Sequence, residues 1–218
     1  MKAAYQPTSR TTPTRYRDRA HYDRRTVHCI LDEALICHLG YVRGGRPVVL
    51  PTTHARLGET LYLHGSTGSG PMLAARLSGL PVCVTATLVD GLVLARAAMH
   101  HSLNYRSVVV VGTARMVDDP GEKRRALHAL LDHIRSGRAA DCRAPNAREL
   151  AATAVLAVEL VEVSAKVRDG GVVDDPQDSA LPHWAGVVPL ALTPGTPQPA
   201  GDLDPATPLP SYLARYNR

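Results

Sequence analysis

Tyr105 to Val117 carries the strongest strand signal in the chain, the run Val108-Val109-Val110-Val111. Consecutive β-branched residues are stiff at χ1 and pack well on a pleated surface. Burial on both faces, as in a closed barrel, explains such a run. The neighbouring segments read the same way. Ile36 to Val42 is a short apolar run, Arg43-Gly44-Gly45-Arg46 a hairpin turn, and Pro47 to His54 a second strand. Leu57-Gly58-Glu59 turns the chain into a third strand, Thr60 to His64, which completes an antiparallel meander. Val82 to Val89 alternates, Asp90-Gly91 reads as a turn, and Leu92 to Ala97 as the return. Ala154 to Val167 is expected as a last long strand.

Helices enter as inserts. One fits Asp23 to about Leu35, capped by Asp23, with Val27, Ile30, Leu31 and Ala34 on one face. Others fit Pro71 to Leu77, Asp118-Asp119-Pro120 to about Ile134, and a short stretch near Asn146. Helices do not alternate with every strand, so the pattern predicts a mainly β chain, an antiparallel barrel with α additions, and not a doubly wound sheet. The composition agrees: there is no Phe and one Trp among 218 residues, so Val, Leu, Ile, Ala and a few Tyr must build the core. The expected organisation is a flexible arm over 1–20, one domain over 21–190 and a Pro-rich tail over 191–218.

The net charge is +5, nearly all of it from Arg. No basic patch is interleaved with aromatics, which argues against nucleic acid. No apolar stretch is long enough to span a bilayer and no signal peptide is evident, so a cytoplasmic protein is expected. Cys29, Cys37, Cys83 and Cys142 form no C-x-x-C pair, and adjacent His100 and His101 point apart on a strand, so no protein-built metal site is expected. No G-x-S-x-G elbow marks a hydrolase.

Two segments carry chemistry. After Leu61-Tyr62-Leu63, the residues His64-Gly65-Ser66-Thr67-Gly68-Ser69-Gly70 end a strand and open a helix. Small residues, three hydroxyls and a helix N-terminus make this a phosphate cradle in physical terms. Asn104-Tyr105-Arg106-Ser107 opens the long strand, where Tyr can stack on a flat ring and Arg can bind phosphate or a ring carbonyl.

Taken together, Val27 to Ala34 with Cys37-His38-Leu39-Gly40, Arg46 to Thr52, Leu61 to Ser66, Asn104 to Gly112, Ser164 to Arg168 and Trp184 to Leu190 resemble, in order, the pyridoxamine 5′-phosphate oxidase-related FMN-binding family, which includes the nitroimidazole-resistance reductases. The resemblance implies a split β-barrel homodimer with FMN at the subunit interface. It implies that Pro51, Thr52 and Thr53 run along the isoalloxazine edge and that His64, Gly65, Ser66, Thr67 and Ser69 sit near the phosphate or ribityl chain. It implies that Tyr105, Arg106 and Ser107 face the flavin and that Trp184 closes the site. His64 is the candidate acid or base, with a structural or phosphate-contacting role as its alternative. One departure stands out: related oxidases carry basic residues where the loop enters its helix, and this chain has Gly68-Ser69-Gly70-Pro71. Arg56, Arg76 or Arg106, or the hydroxyls and amides alone, would have to compensate.

The expected function is an FMN-dependent oxidoreductase passing electrons from a reduced nicotinamide donor to a small nitroaromatic or quinone acceptor, not a vitamin B6 oxidase. Its alternatives are a flavin-, deazaflavin- or haem-binding sensor or carrier without turnover, and a dimer that has lost its ligand.

Overall fold

The computed structural model describes residues 3–214; the first two residues of the expected arm and the last four of the expected tail lie outside the described residues. The chain order is β1 (Ala20–His21), α1 (Arg24–Glu33), β2 (Cys37–Arg43), β3 (Arg46–Thr52), β4 (His54–Leu57), β5 (Thr60–Ser66), α2 (Gly70–Ser78), β6 (Leu80–Leu94), β7 (Ser102–Met116), α3 (Pro120–Ile134), α4 (Ala147–Ala152), β8 (Thr153–Glu159), β9 (Glu162–Arg168), β10 (Gly186–Pro189) and α5 (Ser211–Ala214).

Every strand pairing is antiparallel, and the main order is β3-β2-β6-β7-β8-β5-β4. The outermost strands, β3 and β4, are consecutive in sequence. Thr53 joins them covalently where hydrogen bonds would close a complete barrel. The fold is a split β-barrel. β7 bridges its halves, pairing with β6 and β9 along its first part and with β8 at Arg115 and Met116.

The core fills the barrel. Val27, Ile30 and Leu31 of α1 pack with Leu61, Leu63, Val84, Val108, Val110 and Leu156. Asp23 caps α1 by accepting the Thr26 amide at 2.8 Å. α2 closes one end of the barrel with buried Met72 and Ala75. α3 covers the outside of β5 and β8, where Ala126 meets Tyr62, Val155 and Ala157.

Four readings of the sequence are corrected. Val108 to Val111 is not covered on both faces: Val108 and Val110 are buried, whereas Val109 and Val111 are half-buried on the outer face. Asp90-Gly91 is not a turn but a register shift within the 15-residue β6, and the hairpin to β7 turns beyond Leu94. Gly91 is needed there because β10 crosses closely: a Cβ would lie 3.1 Å from the Val188 carbonyl oxygen. Residues 154–167 are two strands, broken after Glu159 so that β8 joins β5 and β9 joins β7. The meander likewise splits at Thr53 into the β2–β3 and β4–β5 hairpins. The N-terminal residues reach the core: Tyr5 is buried, and its hydroxyl donates to Glu59 at 2.8 Å.

Candidate functional site

β5 ends in the loop 66–69 and hands the chain to the N-terminus of α2. Gly65 allows this tight join, since a Cβ there would meet the Met72 methyl at 3.0 Å. Several loop amides are already used. Thr67 N–H donates to the Ala152 carbonyl (3.0 Å), Gly68 N–H to Ser66 Oγ (3.3 Å) and Ser69 N–H to the Ser66 carbonyl (2.9 Å). The groups left for a ligand are the hydroxyls and the first-turn amides of α2. Among them, Ser69 Oγ is enclosed and has no hydrogen-bond partner, the condition expected of a hydroxyl whose partner is a bound molecule.

His64 lies on the outer side of β5, opposite Val155. Its imidazole has no hydrogen bond among the described residues, and desolvation holds its pKa below the usual value, favouring the neutral ring. The register pairing His54 with Leu63 sets Thr53 at the level of His64. Pro51 and Thr52 lead into this bend, with Pro51 exposed beside His38 of β2. Thr53, His64, Gly65, Ser66, Thr67 and Ser69 are thus one neighbourhood, bordered by a cleft of about 530 Å³ that Thr67 and Arg76 line. A larger cleft of about 800 Å³, between α3 and β4, contains only Arg56 of the residues the sequence offered for the site.

Tyr105, Arg106 and Ser107 belong elsewhere. Ser107 and Met116 are nine residues apart on β7, about 30 Å of extended strand. Only past Met116 does the chain reach the His64 level, where Val117 N–H donates to the Val155 carbonyl at 2.9 Å. Trp184 is exposed just before β10, which pairs with β6 from Leu94 to Gly91. No hydrogen bond or ion pair among the described residues joins the Thr53–Ser69 group to the Tyr105–Trp184 group.

The cations suggested by the sequence are mostly committed. Arg106 is clasped by Glu33 and Asp90, whose carboxylates hold it protonated. Arg56 pairs with Asp32 and donates to the Gly58 carbonyl. Sequence proximity could not reveal Glu33, which lies 73 residues from Arg106. His100 and His101 do not lie on a strand: His100 ends the short 3-10 helix Ala98–His100, and its ring meets Asp175 at 3.4 Å. With Asp178, these offer ligand atoms within 4.8 Å of one another, the one such histidine–carboxylate group among the described residues.

A family model described as pyridoxamine 5′-phosphate oxidase matches residues 23–167. The chain belongs to that family. No curated protein sequence matches the chain. Among solved structures, the flavocytochrome Anf3 from Azotobacter vinelandii is 36% identical, with a TM-score of 0.90 over 98% of this chain and 99% of that one. The FAD and haem binding protein from Mycobacterium smegmatis is 37% identical, with a TM-score of 0.85 over 90% and 96%. A protein from Bacteroides thetaiotaomicron, proposed to act in 5-nitroimidazole antibiotic resistance, is 24% identical, with a TM-score of 0.58 over 68% and 86%, a likeness of fold alone.

Proposed function

We propose that this family member is a two-cofactor oxidoreductase, holding a flavin nucleotide and haem at the seam between two copies of the chain. The observation that carries the flavin is the enclosed, unpartnered Ser69 hydroxyl at the N-terminus of α2, in a loop built from small residues. The pairing of flavin with haem comes from the two relatives that match nearly end to end at 36% and 37% identity, one a flavocytochrome and the other a FAD and haem binding protein. The second of them favours FAD over the FMN expected from the family resemblance.

The residues fit both groups. Ser66, Thr67, Ser69 and the first-turn amides of α2 would hold the flavin phosphates. His64 and His38 are exposed imidazoles without hydrogen-bond partners among the described residues, and neutral imidazole is the usual nitrogen donor to haem iron. A bound flavin accepts hydride from a reduced nicotinamide donor, and haem iron exchanges single electrons with a small acceptor. The chain's own part is to orient the two groups and exclude water.

A second copy supplies what one chain lacks. The outer face of β3, β2, β6 and β7 presents Val49, Gly40, Cys83 and Val111 in one row and Pro51, His38, Thr85 and Val109 in the next, with no helix among the described residues over it. A dimer through this face would bring the Tyr105–Ser107 segment of one copy toward the Thr53–Ser69 segment of the other. The test is the absorbance spectrum of protein purified without added cofactor, with release and mass identification of any flavin. Flavin bands together with a Soret band are expected. Flavin bands alone would restore the reading of a flavin-only reductase, and a colourless protein that binds neither group would overturn the proposal.

A further inference from the structure

We propose that Arg43, reaching over from the β2–β3 hairpin, is the cation that binds the flavin phosphate, in place of the basic residues the loop itself lacks. The inference rests on the flavin reading above and names a ligand of that site.

The glycine at the start of α2 makes room for this guanidinium. A Cβ on Gly70 would lie 3.0 Å from one Arg43 terminal nitrogen, 3.4 Å from its guanidinium carbon and 3.4 Å from the Tyr41 hydroxyl. The guanidinium therefore lies across the bare Cα of Gly70, where any larger residue would displace it. Arg43 forms no ion pair or hydrogen bond among the described residues, unlike Arg56 and Arg106, which carboxylates hold. A cation beside a helix N-terminus faces the positive end of the dipole, an unfavourable arrangement unless an anion sits between them. Here the first-turn amides of Gly70 and Met72 donate to no described acceptor, and Ser69 Oγ is enclosed and unpartnered. Two amides, a hydroxyl and a guanidinium thus lie at the start of α2, none of them paired with a carboxylate among the described residues, and together they are the donor types that a phosphate monoester or pyrophosphate takes. The loop amides of Thr67, Gly68 and Ser69 cannot substitute, because their hydrogen bonds already go to protein oxygens. The glycine at position 70 and the arginine at position 43 are complementary: one gives up the side chain that the other replaces from a different strand.

The experiment is a fluorescence-quenching titration of the full-length chain, stripped of cofactor, with FAD, FMN and riboflavin, which has the same ring but no phosphate. Arg43→Ala and Arg43→Gln are expected to weaken FAD and FMN about tenfold to a hundredfold, the worth of a charge-assisted hydrogen-bonded contact, while riboflavin changes by less than about twofold. Arg43→Lys should recover part of the loss. Gly70→Ala, which crowds the guanidinium without removing charge, should weaken FAD and FMN in the same sense. Arg46→Ala, at the other end of the same turn, controls for general charge. Arg43 is exposed, so these variants are expected to melt like the wild type. If wild-type chain binds FAD and Arg43→Ala binds it equally well, or loses riboflavin in step with FAD, this inference is overturned while the flavin reading stands. If wild-type chain binds no flavin of any kind, the proposed function falls and the inference with it.

Discussion

Arg106 in β7 and Glu33 at the end of α1 form a two-pronged ion pair, with Arg106 Nη2 2.8 Å from Glu33 Oε1 and Nη1 bonded to Oε2. Asp90 of β6 grips the same guanidinium from the other side, at 2.7 and 2.9 Å. This cluster ties the first helix to the long hairpin. Its members are partly exposed, so solvent screening keeps each pair modest. A double-mutant cycle of Arg106→Ala and Glu33→Gln, read by urea unfolding, should give a coupling energy of about 1 kcal/mol, within the range for a bidentate pair. A coupling near zero would show that the clasp contributes nothing to stability and would free Arg106 for a ligand.

The Ser69 hydroxyl separates stability from binding. An enclosed hydroxyl without a partner costs the folded chain free energy, so removing it should not destabilise the protein. Ser69→Ala is expected to melt at the same temperature as wild type or slightly higher, and yet to bind FAD more weakly by about 1 kcal/mol. Thermal melting and flavin titration on one preparation check both halves. A lower melting temperature with unchanged affinity would mean that the hydroxyl serves the fold.

Part of this architecture is legible in the sequence, because its signals are local. Asp23 at the start of α1, Asn146 and Glu149 in the capping box of α4, and the paired positive-φ glycines Gly44 and Gly45 act within a few residues. The errors share a different cause. Asp90-Gly91 carries a turn signal, but the same glycine serves close backbone approach, and only β10, about a hundred residues on, decides between them. The break between β8 and β9 falls at Leu160-Val161, between Glu159 and Glu162, where no Gly or Pro marks a turn. In the candidate site, the Gly/Ser/Thr loop is visible as a motif, whereas the Arg43–Gly70 juxtaposition depends on how two hairpins close around the barrel end.

Tyr5 shows the same limit in a stretch that reads as a loose arm. Its ring is 4% exposed, sits in the main core and lies under the Arg24 guanidinium at 4.5 Å, while its hydroxyl meets Glu59. Burial pushes the phenol pKa up, so the ring stays neutral and keeps donating. Tyr5→Ala should cost about 3 kcal/mol by chemical denaturation, in line with the loss of a buried aromatic. A change below about 0.5 kcal/mol would mean that the segment is not anchored in solution.

His64 and His28 give the chain an acid-side weakness. Desolvation lowers the pKa of both rings below the ordinary histidine value of 6.5. In the window between 6.5 and the lower folded value, the unfolded chain binds more protons than the folded one, so stability falls as pH drops through it. Unfolding free energy should therefore be flat from pH 8 to about 7 and decline below about 6.5. His64→Gln should make that decline shallower without removing it, because His28 remains. An unchanged slope in His64→Gln would show that His64 is as solvated when folded as when unfolded.

The four cysteines test where a second copy sits. Cys37 is buried and its thiol pKa is pushed up to about 12, so it should resist alkylation in the native state. Cys29, Cys83 and Cys142 are exposed in the single chain. Of these, Cys83 lies on the uncovered sheet face, paired across β2 with Gly40 and across β6–β7 with Val111. If two copies meet through that face, native protein should label at Cys29 and Cys142 and be protected at Cys83, and dilution below the dimer dissociation constant should expose Cys83 to the reagent. Peptide mass mapping after a brief alkylation pulse, alongside sedimentation at the same concentrations, decides the matter. Rapid labelling of Cys83 in a chain that sediments as a dimer would place the seam on another surface, and would separate Tyr105–Ser107 from the loop they are proposed to face.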